Sequence, residues 1–318
     1  VEPLCASITV QSEEAEHKRV KFITEPRPLS ADELIERIAK SAGPRLVVVN
    51  TVQSAAVLAD QIKEGGEMQV LHLSTALAPV HRAIIIERVK ALLKHQSDWV
   101  VVATSLVEAG MDFSFAPGFR QRASTASLIQ LGGRVNRSAN RGNDCRVLDF
   151  DFADVQTFPD NPTLKPSKDA LERLFADGRI GPDKPCDLAD ICLAAMKAEF
   201  PPGAQQTALG LVSAESERDY PKVSQECRVI QTETKTVVVD PDIIERLNRY
   251  ECVTSLEVVG HSVQMFNAKM EKLGLSPVTS DSDLFFLPES WNYDPDFLGY
   301  MAEIVRQSEA RIPCGYFI

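Results

Sequence analysis

The sequence predicts an α/β fold in which helices flank a parallel sheet, followed by a mainly helical accessory domain. Between residues 43 and 151, short apolar runs rich in β-branched residues alternate with single helical segments. Strands that are apolar on both faces are typical of parallel sheets covered by helices on both sides. After residue 151, a proline-rich polar stretch precedes further helical segments. We therefore predict one domain at 1–155, and a linker with an accessory domain at 156–318.

Local patterns predict the individual elements. Apolar runs indicate four strands, at 44–50, 68–74, 98–105 and 144–151. Between them, one-sided apolar stripes predict two helices, at 51–66 and 78–95. A third, arginine-rich helix is expected before the last strand. In the accessory domain we expect one β-like run at 234–241 and four helices, at 169–178, 187–200, 243–251 and 295–311.

Charge is unevenly distributed, although the whole chain has a net charge of -11. Residues 1–150 contain 18 Lys and Arg against 17 Asp and Glu, so the acidity lies in the remaining residues. Between 113 and 143 there are five arginines and no acidic residue. A local basic patch on a nearly neutral domain attracts phosphates.

Several classes of protein are disfavoured by the composition. No apolar run is long enough to span a bilayer, and the first residues show neither a basic leader nor a cleavage pattern, so we expect a cytoplasmic protein without a membrane partner. The seven cysteines and five histidines lack the spacing of metal ligands, so no metal site is predicted. Because the chain begins at Val1 within a strand-like run, we expect it to be a fragment of a longer protein.

Polar residues follow three of the predicted strands. They are Asn50 and Thr51, Ser74 and Thr75, and Thr104 and Ser105. Because ligands bind at the carboxyl ends of parallel strands, we expect these residues to lie along one functional edge.

Two segments carry the chemistry. The first, VVATSLVEAGMDFSF (101–115), is a strand that continues through a polar loop. The second, SLIQLGGRVNR (127–137), contains the pattern Q-x-x-G-R-x-x-R. On a helix, Arg134 and Arg137 would project from one face, and guanidinium groups match the oxygens of a phosphate.

These segments resemble motifs V and VI of superfamily 2 helicases, in the order expected of a second RecA-like domain. LVVVNTVQSAAVLADQI (46–62) resembles motif IV, and VLHLSTALAPVHR (70–82) resembles the segment after it. The combinations VVNTV, VEAGMDF and GRVNR are most similar to the CRISPR-associated helicase of type I systems, a large enzyme that joins a nuclease to a helicase. The resemblance covers about 40–151 and implies a RecA-like sheet.

The resemblance implies an ATP site. Arg134 and Arg137 would contact the γ-phosphate, and Gln130 would help to position the phosphate or the attacking water. Three further residues would lie at the nucleotide, namely Gly133, Gly110 and Asp112, the last near the ribose or the water shell of Mg²⁺. Single-stranded DNA would be held by its phosphates through Asn50, Thr51, Ser74, Arg82, Thr104 and Ser105, contacts that carry no sequence information. Leu131 departs from many helicases, in which arginine follows the glutamine.

Two helicase motifs are missing from the sequence. There is no G-x-x-x-x-G-K-[ST] loop and no D-E-x-H, and Asp32-Glu33 instead opens a helix. We therefore expect the chain alone to be inactive, with ATP and Mg²⁺ bound mainly through a first RecA-like domain. By the resemblance, that domain and a nuclease lie in the same protein, and an RNA-guided CRISPR surveillance complex hands over the displaced strand.

Alternative interpretations remain open at this stage. Two alternatives to the DNA helicase are an RNA helicase of the same superfamily and a non-catalytic binding or regulatory module. Arg120 and Arg122 either line the DNA path or solvate a loop, whereas Asp149 and Asp151 favour a solvated strand end over a metal site. Six aromatic residues favour packing over base stacking, namely Phe285, Phe286, Trp291, Tyr293, Phe297 and Tyr300.

Overall fold

A six-stranded parallel sheet forms the centre of the fold. The computed structural model describes residues 14–66, 68–95, 98–108, 110–142, 145–182, 191, 195, 204–226, 234–275, 277–278 and 284–309. The strands are β1 (Lys21–Thr24), β2 (Arg45–Val48), β3 (Gln69–Leu73), β4 (Trp99–Ala103), β5 (Gly118–Gln121) and β6 (Arg146–Phe150). Their order is β1-β6-β5-β2-β4-β3. The four predicted strands are confirmed, and β1 and β5 are additional.

Helices cover both faces of this sheet, as predicted. They are α1 (Ala31–Lys40), α2 (Val52–Glu64), α3 (Pro79–Leu93), α4 (Thr125–Gly132) and α5 (Lys165–Ala176). The first two pack on one face through side chains such as Leu34 and Leu58, and the other three on the opposite face through side chains such as Ile85, Leu128 and Leu171. Side-chain caps define where several helices begin, for example Ser30 for α1 and Thr51 for α2.

The second region contains more β-structure than the sequence predicts. Three strands, β7 (Thr234–Val238), β8 (Ser262–Phe266) and β9 (Leu284–Phe286), form a sheet in the order β8-β7-β9. The helices are α6 (Ala204–Ser216), α7 (Tyr220–Glu226), α8 (Pro241–Asn248), α9 (Ser255–Gly260), α10 (Asn267–Leu273) and α11 (Ala302–Glu309). The predicted helix at 187–200 lies almost entirely outside the described residues. Within the described ranges, no helix is long and apolar enough to cross a bilayer.

The predicted helix at 295–311 begins only at Ala302, because the preceding residues form a turn. The carboxylate of Asp294 accepts hydrogen bonds from the backbone N–H groups of Asp296, Phe297 and Leu298, at 3.0 to 3.2 Å. These bonds hold the chain in a turn that brings Gly299 back beside Asp294. The segment therefore ends in a compact corner before α11.

The two regions share one hydrophobic core. Buried residues of α2, such as Leu58, join the same cluster as Val237, Phe297 and Met301 of the second region. Trp291, Phe297 and Tyr300 are buried in it, in agreement with the packing interpretation of the aromatic residues. Because this core contains side chains from both regions, burial of their apolar surfaces stabilises both together.

Backbone contacts fix the second region against the loop after β3. Gly299 has a φ of +61°, and a Cβ at this position would overlap the carbonyl oxygen of Ala76. The N–H of Tyr300 donates to that same oxygen at 3.2 Å, and the hydroxyl of Tyr293 accepts from the N–H of Ala78 at 2.8 Å. The approach is so close that only glycine fits at position 299.

His72 on β3 is part of this interface and is completely buried. Its Nδ1 lies 2.8 Å from the carbonyl oxygen of Phe297, an arrangement in which Nδ1 carries the proton and donates. Burial lowers the pKa of His72 from its ordinary value of 6.5 to about 4. The imidazole is therefore neutral in the folded protein at neutral pH.

The neutral His72 makes stability depend on pH. Because the folded-state pKa lies below the unfolded one, its contribution is fully present above about pH 6.5 and is lost as the pH falls towards 4, by about 3 kcal/mol in total. We expect His72→Asn to flatten this part of the curve when the midpoint of urea unfolding is measured against pH. His95→Gln, at an exposed site, is the control and should leave the slope unchanged. An equal slope in wild type and His72→Asn would contradict the assignment.

Candidate active site

The carboxyl ends of three neighbouring strands meet at one edge of the large sheet. Asn50 follows β2, Thr104 follows β4 and Ser74 follows β3, and these strands are adjacent and parallel. The prediction that these residues share an edge is confirmed. The central strand β5, which the sequence analysis missed, ends at the same edge with Arg120 and Gln121.

A buried ion pair joins this edge to the loop after β4. The Nε of Arg120 lies 2.9 Å from Oε1 of Glu108, and the two side chains are only 4% and 6% exposed. Burial raises the pKa of Glu108 and lowers the pKa of Arg120, while the attraction between the two charges opposes both shifts. Both interpretations offered for Arg120 are wrong, since it neither lies on an open DNA path nor solvates a loop.

Asn50 completes this arrangement. Its Oδ1 accepts from Nη1 of Arg120 at 2.8 Å, and its Nδ2 donates to the carbonyl oxygen of Arg122 at 2.8 Å and to Asp160 at 3.1 Å. An amide has two N–H donors, so both are used within the protein. Asn50 therefore braces the edge, and the phosphate contact predicted for it has no free donor in this structure.

The other residues predicted to bind nucleic acid differ in accessibility. Ser74 is completely buried, and its hydroxyl accepts from the N–H of Ala76 at 3.1 Å, so it is not accessible to a phosphate. Thr51 caps α2 by accepting from the N–H of Ser54 at 3.0 Å. Thr104 is 8% exposed and Ser105 is exposed.

Arg82 lies in the first turns of α3, near the second region. Its side chain is partly buried, and this burial lowers the pKa of Arg82, whereas the nearby Tyr293 raises it. No ion pair with Arg82 occurs within the described residues. It remains a cation available to an anionic ligand.

A second buried ion pair lies at the end of β6. Asp149 is completely buried, and its Oδ2 accepts from Nε of Arg122 and from the hydroxyl of Thr24, both at 2.8 Å. Asp151 pairs with Lys168 at 3.0 Å. The interpretation as a solvated strand end is therefore wrong for Asp149, and Arg122, which is 11% exposed and paired with it, does not solvate a loop. These charges fasten β1, β5, β6 and α5 to one another.

The two motif segments run side by side. The helix α4 ends at Gly132, with Gly133 as its cap, so Arg134 and Arg137 lie in the loop after it and not on a helix as predicted. The N–H of Phe115 donates to the carbonyl oxygen of Arg134 at 2.8 Å. The N–H of Arg137 donates to Oγ of Ser114 at 3.1 Å. This pairing brings the loop after β4 into contact with the loop after α4, which carries Arg134 and Arg137 and is called the arginine loop below.

The two arginines differ in their surroundings. Arg134 donates from Nη2 to the carbonyl oxygen of Glu108 at 2.9 Å and from Nε to that of Val107 at 3.3 Å. Burial lowers the pKa of Arg134, and the positive charge of Arg137 lowers it further. Arg137 is 44% exposed, and its Nε lies 3.1 Å from Oδ1 of Asp112, which is 87% exposed. The arginines are therefore not without an acid, because the fold brings Asp112 to Arg137.

Two other residues that were predicted to lie at the nucleotide, Gln130 and Gly110, are accessible. Gln130 is exposed on the last turn of α4. Gly110 has a φ of +74°, and a Cβ there would meet no atom within 4 Å, so the space beside this backbone is open. Arginine and amide N–H groups match phosphate oxygens. In the described part of the chain, no group of three or more His, Cys, Asp or Glu residues is arranged to hold a metal ion.

Comparison with known proteins agrees with the RecA-like expectation. Residues 41–140 match the family model of the C-terminal part of the CRISPR-associated nuclease/helicase Cas3. A CRISPR-associated nuclease/helicase Cas3 from Haloferax volcanii is 29% identical over 182 residues, which cover 56% of this chain and 19% of that protein. The chain therefore spans about a fifth of the length of this relative.

Solved structures share the fold at low sequence identity. The crystal structure of T. fusca Cas3 has a TM-score of 0.60 at 13% identity, over 85% of this chain and 39% of that one. T. fusca Cas3-ATP gives a TM-score of 0.56 at 14% identity, with the same coverage. A chain of a CRISPR RNA-guided surveillance complex, pre-nicking, gives 0.56 at 13% identity, over 88% of this chain and 44% of that one. The chain has the α/β fold of these proteins.

The buried ion pair gives a direct test of the site's architecture. We expect Arg120→Met to lower the free energy of unfolding by about 3–5 kcal/mol, because Glu108 is left buried without a partner. Arg137→Met removes an exposed pair and should cost at most about 1 kcal/mol. The double variant Arg120→Met/Glu108→Leu should recover most of the loss, since apolar side chains then replace both charges. Urea denaturation measures all three, and equal losses for the two arginines would refute the assigned roles.

Proposed function

We propose that this chain, whose residues 41–140 belong to the C-terminal domain family of CRISPR-associated nuclease/helicases, supplies one wall of an ATP site and part of a single-stranded DNA path. The intact protein would be an ATP-dependent DNA translocase. In this proposal the phosphate-binding loop, the Mg²⁺ ligands and a nuclease belong to the remainder of the protein. The chain then contributes side chains that contact the phosphate while it is transferred.

The observation that carries the proposal is the exposed guanidinium of Arg137 beside Asp112. An ion pair between exposed side chains contributes only about 0–1 kcal/mol, so Arg137 exchanges Asp112 for a more highly charged phosphate at little cost. A guanidinium binds two phosphate oxygens at once and stays charged at any physiological pH. Arginines in this role raise the rate of nucleotide hydrolysis by about 10³–10⁵.

Arg134 and Gln130 have supporting roles in this proposal. Arg134 donates to the carbonyl oxygens of Val107 and Glu108, and so holds the loop that carries Gly110 and Asp112. Gln130 is exposed, and its amide is suited to orient a phosphate oxygen or water. ATP with Mg²⁺, when bound, supplies the phosphoryl group and neutralises the charge that develops during transfer.

The nucleic-acid path is proposed along the carboxyl edge of the sheet. Thr104, Ser105 and Thr51 place hydroxyl groups there, and Arg82 adds a cation that is not paired within the described residues. Such contacts bind phosphates without reading bases. One of the structural matches is a chain of a pre-nicking CRISPR RNA-guided surveillance complex. This match supports the proposal that such a complex is the partner that would deliver the displaced DNA strand.

Arg137→Ala tests the ATP site in the intact protein. We expect steady-state ATP turnover to fall at least about 100-fold, because the developing charge on the phosphate loses its partner. Binding of single-stranded DNA, measured by fluorescence anisotropy, should stay near the wild-type value. Arg146→Ala, at an exposed position at the start of β6, is the control and should change neither quantity. Equal losses of turnover and DNA binding would show that Arg137 is structural.

Thr104→Ala tests the nucleic-acid edge. We expect it to reduce DNA-stimulated ATP hydrolysis several-fold while basal hydrolysis stays close to wild type, because one phosphate contact is lost. Thr163→Ala, exposed and outside this edge, should leave both rates unchanged. Competition between single-stranded DNA and RNA of one sequence identifies the preferred polymer. Preference for RNA would replace the DNA proposal with an RNA helicase.

A further inference from the structure

Asn136, between the two motif arginines, is almost completely buried, with 1% exposure. Its amide makes three hydrogen bonds. Nδ2 donates to the carbonyl oxygen of Arg19 at 3.0 Å and to that of Gly142 at 2.9 Å, and Oδ1 accepts from the N–H of Arg141 at 2.9 Å. Both N–H donors of the amide and one acceptor position of its oxygen are therefore used on three separate backbone groups.

These bonds close the arginine loop into a fixed turn. Two of them join Asn136 to the other end of the loop at Arg141 and Gly142, and the third fastens it to the segment before β1. The backbone N–H of Asn136 donates to the carbonyl oxygen of Phe115 at 2.7 Å. This bond connects the loop to the first motif segment. Asn136 therefore connects the loop to its own far end, to the segment before β1 and to the first motif segment.

The backbone of Asn136 is also unusual. Its φ is +47°, in the left-handed region. Asparagine is one of the few residues with a side chain that enters this region readily, whereas a residue such as alanine is strained there by about 1–2 kcal/mol. The chain bends at Asn136 and enters a turn that is closed by the hydrogen bond from the N–H of Ala139 to the carbonyl oxygen of Asn136 at 2.8 Å.

Arg137 depends on this turn for its position. Among the residues that the structure describes, its side chain pairs only with the exposed Asp112, whereas its backbone N–H donates to Oγ of Ser114 at 3.1 Å. The position of the Arg137 guanidinium is therefore determined by the backbone at residue 137. The hydrogen bonds of Asn136 fix that backbone. In enzymes, an error of about 1 Å in placing a reacting group costs about 100-fold in rate.

We infer that Asn136 is a positioning residue, which places Arg137 for transfer of the phosphoryl group without touching the nucleotide. The inference rests on the proposed function, because it gives Asn136 a role only through Arg137. A residue that merely stabilises the fold would affect the protein whether or not Arg137 is present. Coupling between the two residues separates these roles.

The experiment measures ATP hydrolysis by the intact protein with single-stranded DNA present. Asn136→Gly removes all three side-chain bonds but keeps the left-handed backbone free of strain. Asn136→Asp keeps the acceptor for Arg141 and loses both donations, and it serves as a second variant if the glycine variant is unstable. The control is Ala139→Gly, because Ala139 is exposed in the same loop with a φ of +52°. Each change is made with Arg137 and with Arg137→Ala, and single-turnover conditions resolve the slow rates.

We expect Asn136→Gly to lower kcat about 10- to 100-fold in the presence of Arg137, with a smaller change in KM for ATP. In the Arg137→Ala background the same change should alter the rate less than about twofold, since there is no guanidinium left to misplace. Ala139→Gly should be silent in both backgrounds.

Other outcomes overturn distinct statements. Equal losses in both backgrounds, or loss of DNA binding together with turnover in both Asn136 variants, would make Asn136 a structural residue only. An unchanged kcat in Asn136→Gly would remove its positioning role while leaving the ATP site standing. Unchanged turnover in Arg137→Ala alone would instead overturn the proposed function itself.

Discussion

The buried ion pair between Glu108 and Arg120 is the constraint on which the site depends. Two charges withdrawn from water are tolerated only when each is the partner of the other. The pair fixes the loop after β4 against the central strand β5, and the backbone oxygen of Glu108 in turn accepts from Arg134. Glu108 thus joins the first motif segment to β5 through its side chain and to the second motif segment through its backbone.

The sequence predicts the sheet well where strands are apolar, and poorly where polar residues are buried in pairs. In β5 (GFRQ) only Phe119 is a large apolar residue, so no pattern marks a strand, although Arg120 and Gln121 are also buried. Their burial depends on partners that are distant in sequence, such as Glu108 and Asn50. The motif arginines were found by residue type, but Gly132 and Gly133 end the helix before them, and the approach of Asp112 follows only from the pairing of the two loops.

The second region shows the same limit. Trp291, Phe297 and Tyr300 were correctly assigned to packing, because burial of such large side chains follows from their apolar surface. The three-stranded sheet was missed except for β7, since β9 has three residues and two of the five residues of β8 are exposed. The turn at Asp294 was also missed, because the hydrogen bonds of one carboxylate interrupt a segment with strong helical periodicity.

The contact at Gly299 joins the loop after β3 rigidly to the corner before α11. Backbone atoms that touch without intervening side chains have no flexible groups to absorb a displacement, and hydrogen bonds weaken steeply when they lengthen. The two segments therefore either keep this contact or lose it completely. A displacement of the loop at the carboxyl end of β3 would therefore move the corner before α11 with it.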